Sequence, residues 1–362
     1  MTEKHPTRRF GWKALFLVLS IPAFILFSEI VLTIIPVNTF FENRFFIVNR
    51  ALDYPEVFKK DRDLLWRFRP SQEITSRFFE GETIRINSFG LRGDEIPPRS
   101  DKCRIVALGN SCTFGWGMKE DQTYANRLEM LVNADSTLPE IEVINAGIPG
   151  YSSTQGSRFF YSDILKLHPD IVMLMFGWND QWAASENISD RNQKMPAQFV
   201  IDLQNTFSRL KAYRLIRKII LWATEKPLEE TLHKDGPIIY RAAVGEFYQN
   251  GKLICSTARK ENVIPILLTS PIPALNTYYP PGMKSPMHDF HEKYNSQARL
   301  LANDLGVPLV DLARIFDGYD DLFDNAADDP IHFNAKGHRI AAEAIYKYLL
   351  THPESLTSEN SQ

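Results

Sequence analysis

The chain has 362 residues, of which 44% are hydrophobic and 23% are charged, a composition typical of a globular protein large enough for one α/β domain with additions. A formal net charge of -3, with no basic stretch carrying interleaved aromatic residues, argues against nucleic acid as a partner. The three cysteines, Cys103, Cys112 and Cys255, are too few and too scattered for a disulfide framework or a Cys-x-x-Cys zinc site.

The first feature in chain order is an apolar run near the N-terminus. Ala14 to Ile35 are mostly apolar and, at about 22 residues, long enough to cross a hydrocarbon core of roughly 30 Å as a helix. Glu29 falls in the far half of the run, where its carboxyl group can reach toward the interface. The run is preceded by basic residues, namely Lys4, Arg8, Arg9 and Lys13.

This pattern predicts a cytoplasmic tail at residues 1–13 and a single-pass anchor at residues 14–37. By the positive-inside tendency, everything after Val37 then lies on the periplasmic side of an inner membrane. A cleaved signal peptide is the alternative, but its apolar region would be shorter and no small-x-small cleavage site follows Ile35. We therefore expect a retained helix that makes the membrane a partner of this chain.

Residues 38–100 form a mixed segment, which we interpret as a leader that wraps the core domain. From Arg104 onward, short buried strands alternate with helices, which predicts a central parallel sheet covered on both faces within residues 101–352, followed by a flexible tail at 353–362. One helix is expected to begin near an N-cap at Asp121, and another, carrying Ile164 and Leu167, to stop at Pro169. The predicted strands are Arg104–Gly109, Ile141–Asn145, Ile171–Phe176, Val263–Thr269 and Val307–Asp311.

A long insert interrupts this alternation at about residues 183–236. Within it, basic and apolar residues interleave at helical spacing, which predicts a basic amphipathic helix. Such a helix forms a lid, rests on an anionic membrane surface, or is a solvated helix with one face packed on the domain. The basic residues are Arg209, Lys211, Arg214, Arg217 and Lys218.

Four short segments follow the ends of predicted strands or precede the final helix. In order, they are Gly109-Asn110-Ser111, Gly147, Gly177-Trp178-Asn179-Asp180 and Asp329-Pro330-Ile331-His332. Parallel sheets bind ligands at the carboxyl ends of their strands, so residues far apart in sequence can converge there. We expect these segments to form one site.

The residue types in these segments suit acyl transfer. Ser111 is the candidate nucleophile, His332 its base, and Asp329 the carboxylate that orients the imidazole. Asp328 is an alternative orienting group, but its spacing to His332 is less favourable. The expected oxyanion donors are the N–H groups of Ser111 and Gly147 and the Asn179 amide, with Asp180 supporting the turn that carries Asn179. Trp116 and Trp178 line the pocket or belong to the core.

These ordered blocks resemble the SGNH subgroup of the GDSL-type esterases and lipases. The resemblance runs from about Asn87 to His338 and implies a three-layer α/β/α, flavodoxin-like fold. It further implies a serine esterase without a cofactor, acting on O-acetyl groups of glycans or on lipid acyl esters. The anchored layout of the N-terminus suggests that the chain is a membrane-anchored bacterial member. One departure is Asn110, because the family usually carries Asp there; Asn keeps the acceptor oxygen but removes a negative charge.

Other functions remain open from the sequence. An O-acyltransferase would use the same acyl-enzyme but pass its acyl group to a glycan hydroxyl. A catalytically inactive glycan-binding protein is a further possibility, and Asn110 is the one residue that hints at it. A metal site at His288, Asp289 and His291 with Asp328 has unpersuasive spacing, and no phosphate-loop or dinucleotide fingerprint occurs, so we expect neither metal nor cofactor.

Overall fold

The computed structural model describes residues 12–35, 54–75, 79, 81–184, 187–224, 237–273, 286–324 and 329–356. Its first element is helix α1 (Trp12–Ile34), which contains Pro22 and confirms that the apolar run is helical. Within those ranges, no helix combines the length and the apolar character needed to cross a membrane. The membrane-spanning part of the prediction is therefore not supported. Most of the predicted basic tail, including Lys4, Arg8 and Arg9, lies outside the described residues.

Two antiparallel hairpins follow α1. Strand β1 (Phe58–Asp61) pairs with β2 (Leu65–Phe68), and β3 (Gln72–Thr75) pairs with β4 (Thr83–Ile86). The first hairpin is rich in aromatic residues whose side chains are buried. It therefore joins the hydrophobic core rather than standing apart from it.

Hydrogen bonds attach these hairpins to the central domain. The Trp66 indole N–H donates to the Pro149 carbonyl at 3.3 Å, and the Tyr151 hydroxyl donates to the Trp66 carbonyl at 2.6 Å. The backbone of Arg92 bridges antiparallel to Asn145, which covers one edge of the central sheet. The domain boundaries at 38–100 and 101–352 stay predictions, and residues 36–53 and 357–362 lie outside the described ranges.

In the remainder of the chain, each strand is followed by one or more helices. The elements are β5 (Cys103–Gly109), α2 (Ser111–Phe114), α3 (Tyr124–Asn133), β6 (Ile141–Gly147), α4 (Ser153–Ser162), β7 (Ile171–Met175), α5 (Gln198–Phe207), α6 (Lys211–Thr224), α7 (Val244–Lys260), β8 (Ile264–Leu268), α8 (Pro286–Leu305), β9 (Leu309–Val310), α9 (Leu312–Phe316) and α10 (Ala335–Thr351). Short 3-10 turns occupy Glu120–Gln122, Ile164–Leu167 and Pro353–Leu356. All five predicted strands are present, with ends shifted by a few residues.

The central sheet has the order β6-β5-β7-β8-β9, and each neighbouring pair is parallel. All seven residues of β5 are buried, as expected for a strand covered on both faces. The register places Gly109 beside Gly147 on one side and Met175 on the other. The carboxyl ends of β5, β6 and β7 are therefore level, and the loops that follow them meet at one edge.

The two faces of the sheet have separate hydrophobic cores. Val106 and Leu108 of β5 pack with side chains of α4, α7 and α8 on one face. Ile105 and Ala107, which alternate with them, pack with α3, α9 and α10 on the other face. This arrangement confirms the predicted α/β class with a central parallel sheet.

Two helix boundaries differ from the prediction. Asp121 is not the N-cap of α3, because it lies in a 3-10 turn and the Thr123 hydroxyl accepts the capping bond from the Asn126 N–H at 3.3 Å. The next helix, α4, ends at Ser162 rather than continuing to Pro169. A 3-10 turn places Ile164 and Leu167 on the same side, so both are buried against the core.

Candidate active site

The loop after β5 positions Ser111 at the start of a short helix. The Asn110 side-chain oxygen accepts the Cys112 N–H at 2.9 Å and so caps α2. Gly109 has no room for a side chain, because a Cβ there would lie 2.1 Å from the Thr113 hydroxyl oxygen. Asn110 therefore keeps the acceptor oxygen that the loop requires. Its Nδ2 is buried and has no hydrogen-bond partner among the described residues.

The loop before α10 brings His332 to Ser111, although 221 positions separate them. The distance from His332 Nε2 to Ser111 Oγ is 2.8 Å, and that from His332 Nδ1 to Asp329 Oδ2 is 2.7 Å. Ser111 is only 7% exposed, so the contact is shielded from bulk water. The structure thus brings together the three residues that the sequence pattern singled out for acyl transfer.

Asp329 is held by its own loop. Its Oδ1 accepts the N–H groups of Ile331 at 3.0 Å and His332 at 3.1 Å, which leaves Oδ2 for the imidazole. Burial favours a higher pKa for the Asp329 carboxyl, but the hydrogen bonds from His332 and Ile331 outweigh it and the net pKa lies below the ordinary 3.8. Asp329 is therefore an ionised acceptor at neutral pH. The alternative, Asp328, lies outside the described residues.

Two contacts that the sequence did not reveal support His332. The Trp116 ring stacks on the imidazole, with ring centroids 5.4 Å apart and planes inclined by 19°. The Cys112 thiol donates to the Ile331 carbonyl at 3.3 Å, which ties the nucleophile helix to the loop that carries His332. Trp116 therefore lies at the site. Cys112 is fully buried, and burial raises the pKa of its thiol well above the ordinary 9.0, so it is not a rival nucleophile.

The loop after β7 carries Asn179 on a turn fixed from below by Asp180. The two carboxylate oxygens of Asp180 accept the Gly177 N–H at 3.1 Å and the Ser153 N–H at 2.8 Å. Burial raises the pKa of this carboxyl to about 6, although the hydrogen bonds from Ser153 oppose the shift. Asn179 is 7% exposed, and its Nδ2 has no hydrogen-bond partner in the described part of the chain. An unpaired buried donor at this edge suits an oxyanion.

Gly147 differs from the expectation. Its N–H donates to the Asn145 side-chain oxygen at 3.0 Å, so it is not free to face an oxyanion in this structure. Glycine is required for a different reason, because a Cβ there would lie 2.1 Å from the backbone nitrogen of Phe114. The position thus serves the close approach of α2 to β6.

Gly150, in the same loop, was missed by the sequence analysis. It has a φ of 86°, a left-handed conformation that favours glycine, and its N–H makes no hydrogen bond to a described residue. The sequence signal for this turn is the Pro149-Gly150 pair, which begins two residues after the end of β6 and marks a tight turn. Unlike the Gly147 N–H, the Gly150 N–H is therefore not engaged by a described residue.

The aromatic and histidine residues near the alternative metal site have structural contacts. Trp178 is fully buried and stacks on His291 with centroids 3.9 Å apart. His291 Nε2 lies 3.0 Å from the Ser270 carbonyl, and burial lowers the pKa of this imidazole to about 4. Within the described ranges, no three His, Cys, Asp or Glu side chains are grouped to hold a metal ion. Trp178 therefore belongs to the core rather than to the pocket wall.

Comparison with known proteins gives one family match. Residues 107–340 match the model of the GDSL-like Lipase/Acylhydrolase family. No curated protein sequence matches the chain. Among solved structures, an alpha/beta hydrolase from the metagenome of Lake Arreo is 20% identical over 71% of this chain and 97% of its own, with a TM-score of 0.46. A lipase/acylhydrolase from Enterococcus faecalis is 18% identical over 69% of this chain and 96% of its own, with a TM-score of 0.44.

Proposed function

The chain belongs to the GDSL-like lipase/acylhydrolase family, whose model matches more than half of its length, and is a hydrolase of ester bonds; on this premise we propose that Ser111, His332 and Asp329 are its catalytic triad. The observation that carries the proposal is the unbroken chain of contacts at 2.8 Å from Ser111 to His332 and 2.7 Å from His332 to Asp329. A serine hydroxyl needs a base within this reach to act near neutral pH.

In the proposed reaction, Ser111 Oγ attacks the ester carbonyl carbon while His332 Nε2 takes the hydroxyl proton. Asp329 holds the opposite ring nitrogen and stabilises the imidazolium. The Asn179 amide, the Ser111 N–H at the start of α2 and the Gly150 N–H stabilise the developing oxyanion. His332 then protonates the leaving alcohol, and a water activated by the same imidazole releases the acid from acyl-Ser111.

Replacing the nucleophile tests this assignment. Ser111→Ala should abolish turnover of a short p-nitrophenyl ester, while the circular dichroism spectrum and the unfolding midpoint stay those of the wild type. Loss of activity with an intact fold supports the triad. Undiminished turnover by the folded variant rejects a serine mechanism at this residue.

We propose that the physiological substrate is an O-acetyl group on a glycan or a lipid acyl ester. The family resemblance supports both kinds of substrate. An esterase passes the acyl group to water, whereas an O-acyltransferase would pass it to a glycan hydroxyl. Product analysis with and without a glycan acceptor distinguishes them, because hydrolysis yields free acid and transfer yields an acylated sugar. An assay comparing acetyl with long-chain esters assigns the acyl length.

We further propose that the catalytic domain works on the periplasmic side of the inner membrane. The support is the order of basic residues before the apolar run, a pattern that retains the start of a chain in the cytoplasm. Protease added to intact spheroplasts should then digest the catalytic domain. Protection of the domain until the cells are lysed would place it in the cytoplasm.

A further inference from the structure

Two neighbouring helices of the insert expose regular apolar stripes. On α5, Phe199, Leu203 and Phe207 recur every four residues and are 67%, 52% and 43% exposed. On α6, the exposed residues are Ile216, Ile219 and Ile220. Side chains at these spacings share one face of a helix, so each helix presents a continuous apolar stripe to its surroundings. A helix that merely packed on the domain would bury this stripe.

The apolar helix α1 packs against α6 and is hydrogen-bonded to its first turn. The Glu29 carboxylate accepts the N–H groups of Lys211 at 2.9 Å and Ala212 at 2.8 Å, and so caps the first turn of α6. The Lys211 ammonium group also donates to the Thr33 hydroxyl at 2.8 Å. The presence of the charged residue Glu29 in an apolar helix is thus explained by its hydrogen bonds to the insert, and these bonds join α1 to α6.

The charge of this surface is strongly one-sided. Residues 198–224 carry five basic side chains against the single acidic residue Asp202, and because Lys218 is buried, the side chains that are at least partly exposed have a formal charge of 4 − 1 = +3. The whole chain has a net charge of -3, so the charge of this segment is opposite in sign to that of the chain as a whole. Apolar stripes flanked by Lys and Arg match a surface that offers both acyl chains and phosphate groups.

The surface is firmly attached to the catalytic domain. The Asn205 side chain on α5 accepts the Lys60 N–H at 2.7 Å and donates to the Lys60 carbonyl at 2.9 Å. The Arg69 guanidinium donates to the Asn205 carbonyl at 3.1 Å and to the Ser208 hydroxyl at 3.2 Å. Whatever binds α5 and α6 therefore also holds the hairpin β1–β2 and the domain behind it.

We propose that α5 and α6 form a docking surface for an anionic phospholipid bilayer. The apolar stripes enter the boundary between headgroups and acyl chains, and the basic residues contact lipid phosphates. The surface fixes how the catalytic domain sits on the membrane. This inference concerns attachment only and does not depend on the triad.

A local probe separates this surface from α1 in the full-length protein. Ile216→Cys, labelled with an environment-sensitive fluorophore and reconstituted into vesicles of phosphatidylcholine with phosphatidylglycerol, should show blue-shifted emission and quenching by brominated lipid. The matched control is Leu253→Cys on α7, a leucine that is 49% exposed on the catalytic domain and should show neither effect. The native cysteines are buried, so the label reports the introduced site.

Charge removal supplies the second arm. Replacing Arg209 and Arg217 with Gln should weaken the quenching at position 216, because each basic residue lost near an anionic surface lowers the docked-to-free ratio about fivefold. The quenching at position 216 should also be weaker in vesicles of phosphatidylcholine alone, which lack anionic lipid. Equal signals at positions 216 and 253 would overturn the proposal. So would a blue shift that grows with protein concentration without vesicles, because a second copy of the chain would then be the partner.

Discussion

The surroundings of the Asn179 side-chain amide support a role in stabilising an oxyanion. A buried N–H group without an acceptor costs about 1–3 kcal/mol, and native structures rarely leave one unpaired. The Asn179 Nδ2 group makes no hydrogen bond to any residue that the structure describes, and it lies on a turn that Asp180 fixes from two directions. A donor that is pre-positioned and unused in the resting protein is available for charge that develops only during reaction.

Asn179→Ala should therefore lower kcat for a short ester by roughly a hundred- to a thousandfold, the usual effect of losing one oxyanion donor. KM should change little, because the bond forms mainly in the transition state. Steady-state kinetics measure both. Asn303→Ala, which removes an exposed amide on α8, is the control and should leave kcat unchanged. A kcat within a few-fold of wild type for the Asn179 variant would remove this amide from the mechanism.

Variants of Asn110 test whether its side-chain oxygen stabilises the nucleophile helix α2. Because its side-chain oxygen caps α2, Asn110→Ala should lower the free energy of unfolding by about 0.5–2 kcal/mol. Asn110→Asp keeps the acceptor and should retain most of the stability and activity. Urea denaturation of the three proteins measures the difference. An Ala variant as stable as the wild type would show that the cap is unimportant.

Asp329 gives a pH dependence whose sign follows from its pKa. Its folded pKa is below the ordinary 3.8, so its hydrogen bonds stabilise the folded state at pH values above 3.8 and are lost as the pH falls through the folded pKa. The wild type should therefore be more stable than Asp329→Asn at neutral pH, and the gap should close below pH 3.8. Thermal unfolding across pH measures it, with exposed Asp101→Asn as the control. A gap that is constant with pH would contradict this assignment.

At the level of secondary-structure elements, the close contact between α2 and β6 sets the position of Ser111. Gly147→Ala would place a methyl group 2.1 Å from the backbone of Phe114, so α2 must move away from the sheet. Overpacking of this kind typically costs about 1–3 kcal/mol, and displacement of Ser111 should also reduce kcat. Gly245→Ala is the matched control, because a Cβ there meets nothing within 4 Å. Equal unfolding midpoints for both variants would show that this contact is loose.

The strands were predictable because their apolar runs are continuous and their order along the chain alternates with helices. The ends of the helices were harder to predict from the sequence. Asp121 and Thr123 are both good capping residues, and only the folded chain shows that the Thr123 hydroxyl faces the free N–H of Asn126. Likewise, Ile164 and Leu167 suit an α-helical and a 3-10 spacing equally well. Such choices depend on packing against other elements.

At the scale of the whole molecule, residue identity predicted which groups would meet, but not which way each atom points. Ser111 and His332 come together because parallel strands deliver their loops to one edge. The Gly147 N–H, by contrast, is taken by Asn145, and Trp116 rather than Trp178 lies against His332. The bond from Glu29 to α6 joins segments 182 residues apart and had no signal in local sequence.

Formation of an acyl-enzyme at Ser111 is tested most directly by the mass of the intact protein after brief exposure to a p-nitrophenyl ester and rapid acid quench, followed by peptide mapping. An acyl-serine mechanism predicts one added acyl group, located on Ser111 and absent from Ser111→Ala. An active protein that carries no adduct, or one that carries it on another residue, would contradict the acyl-serine mechanism.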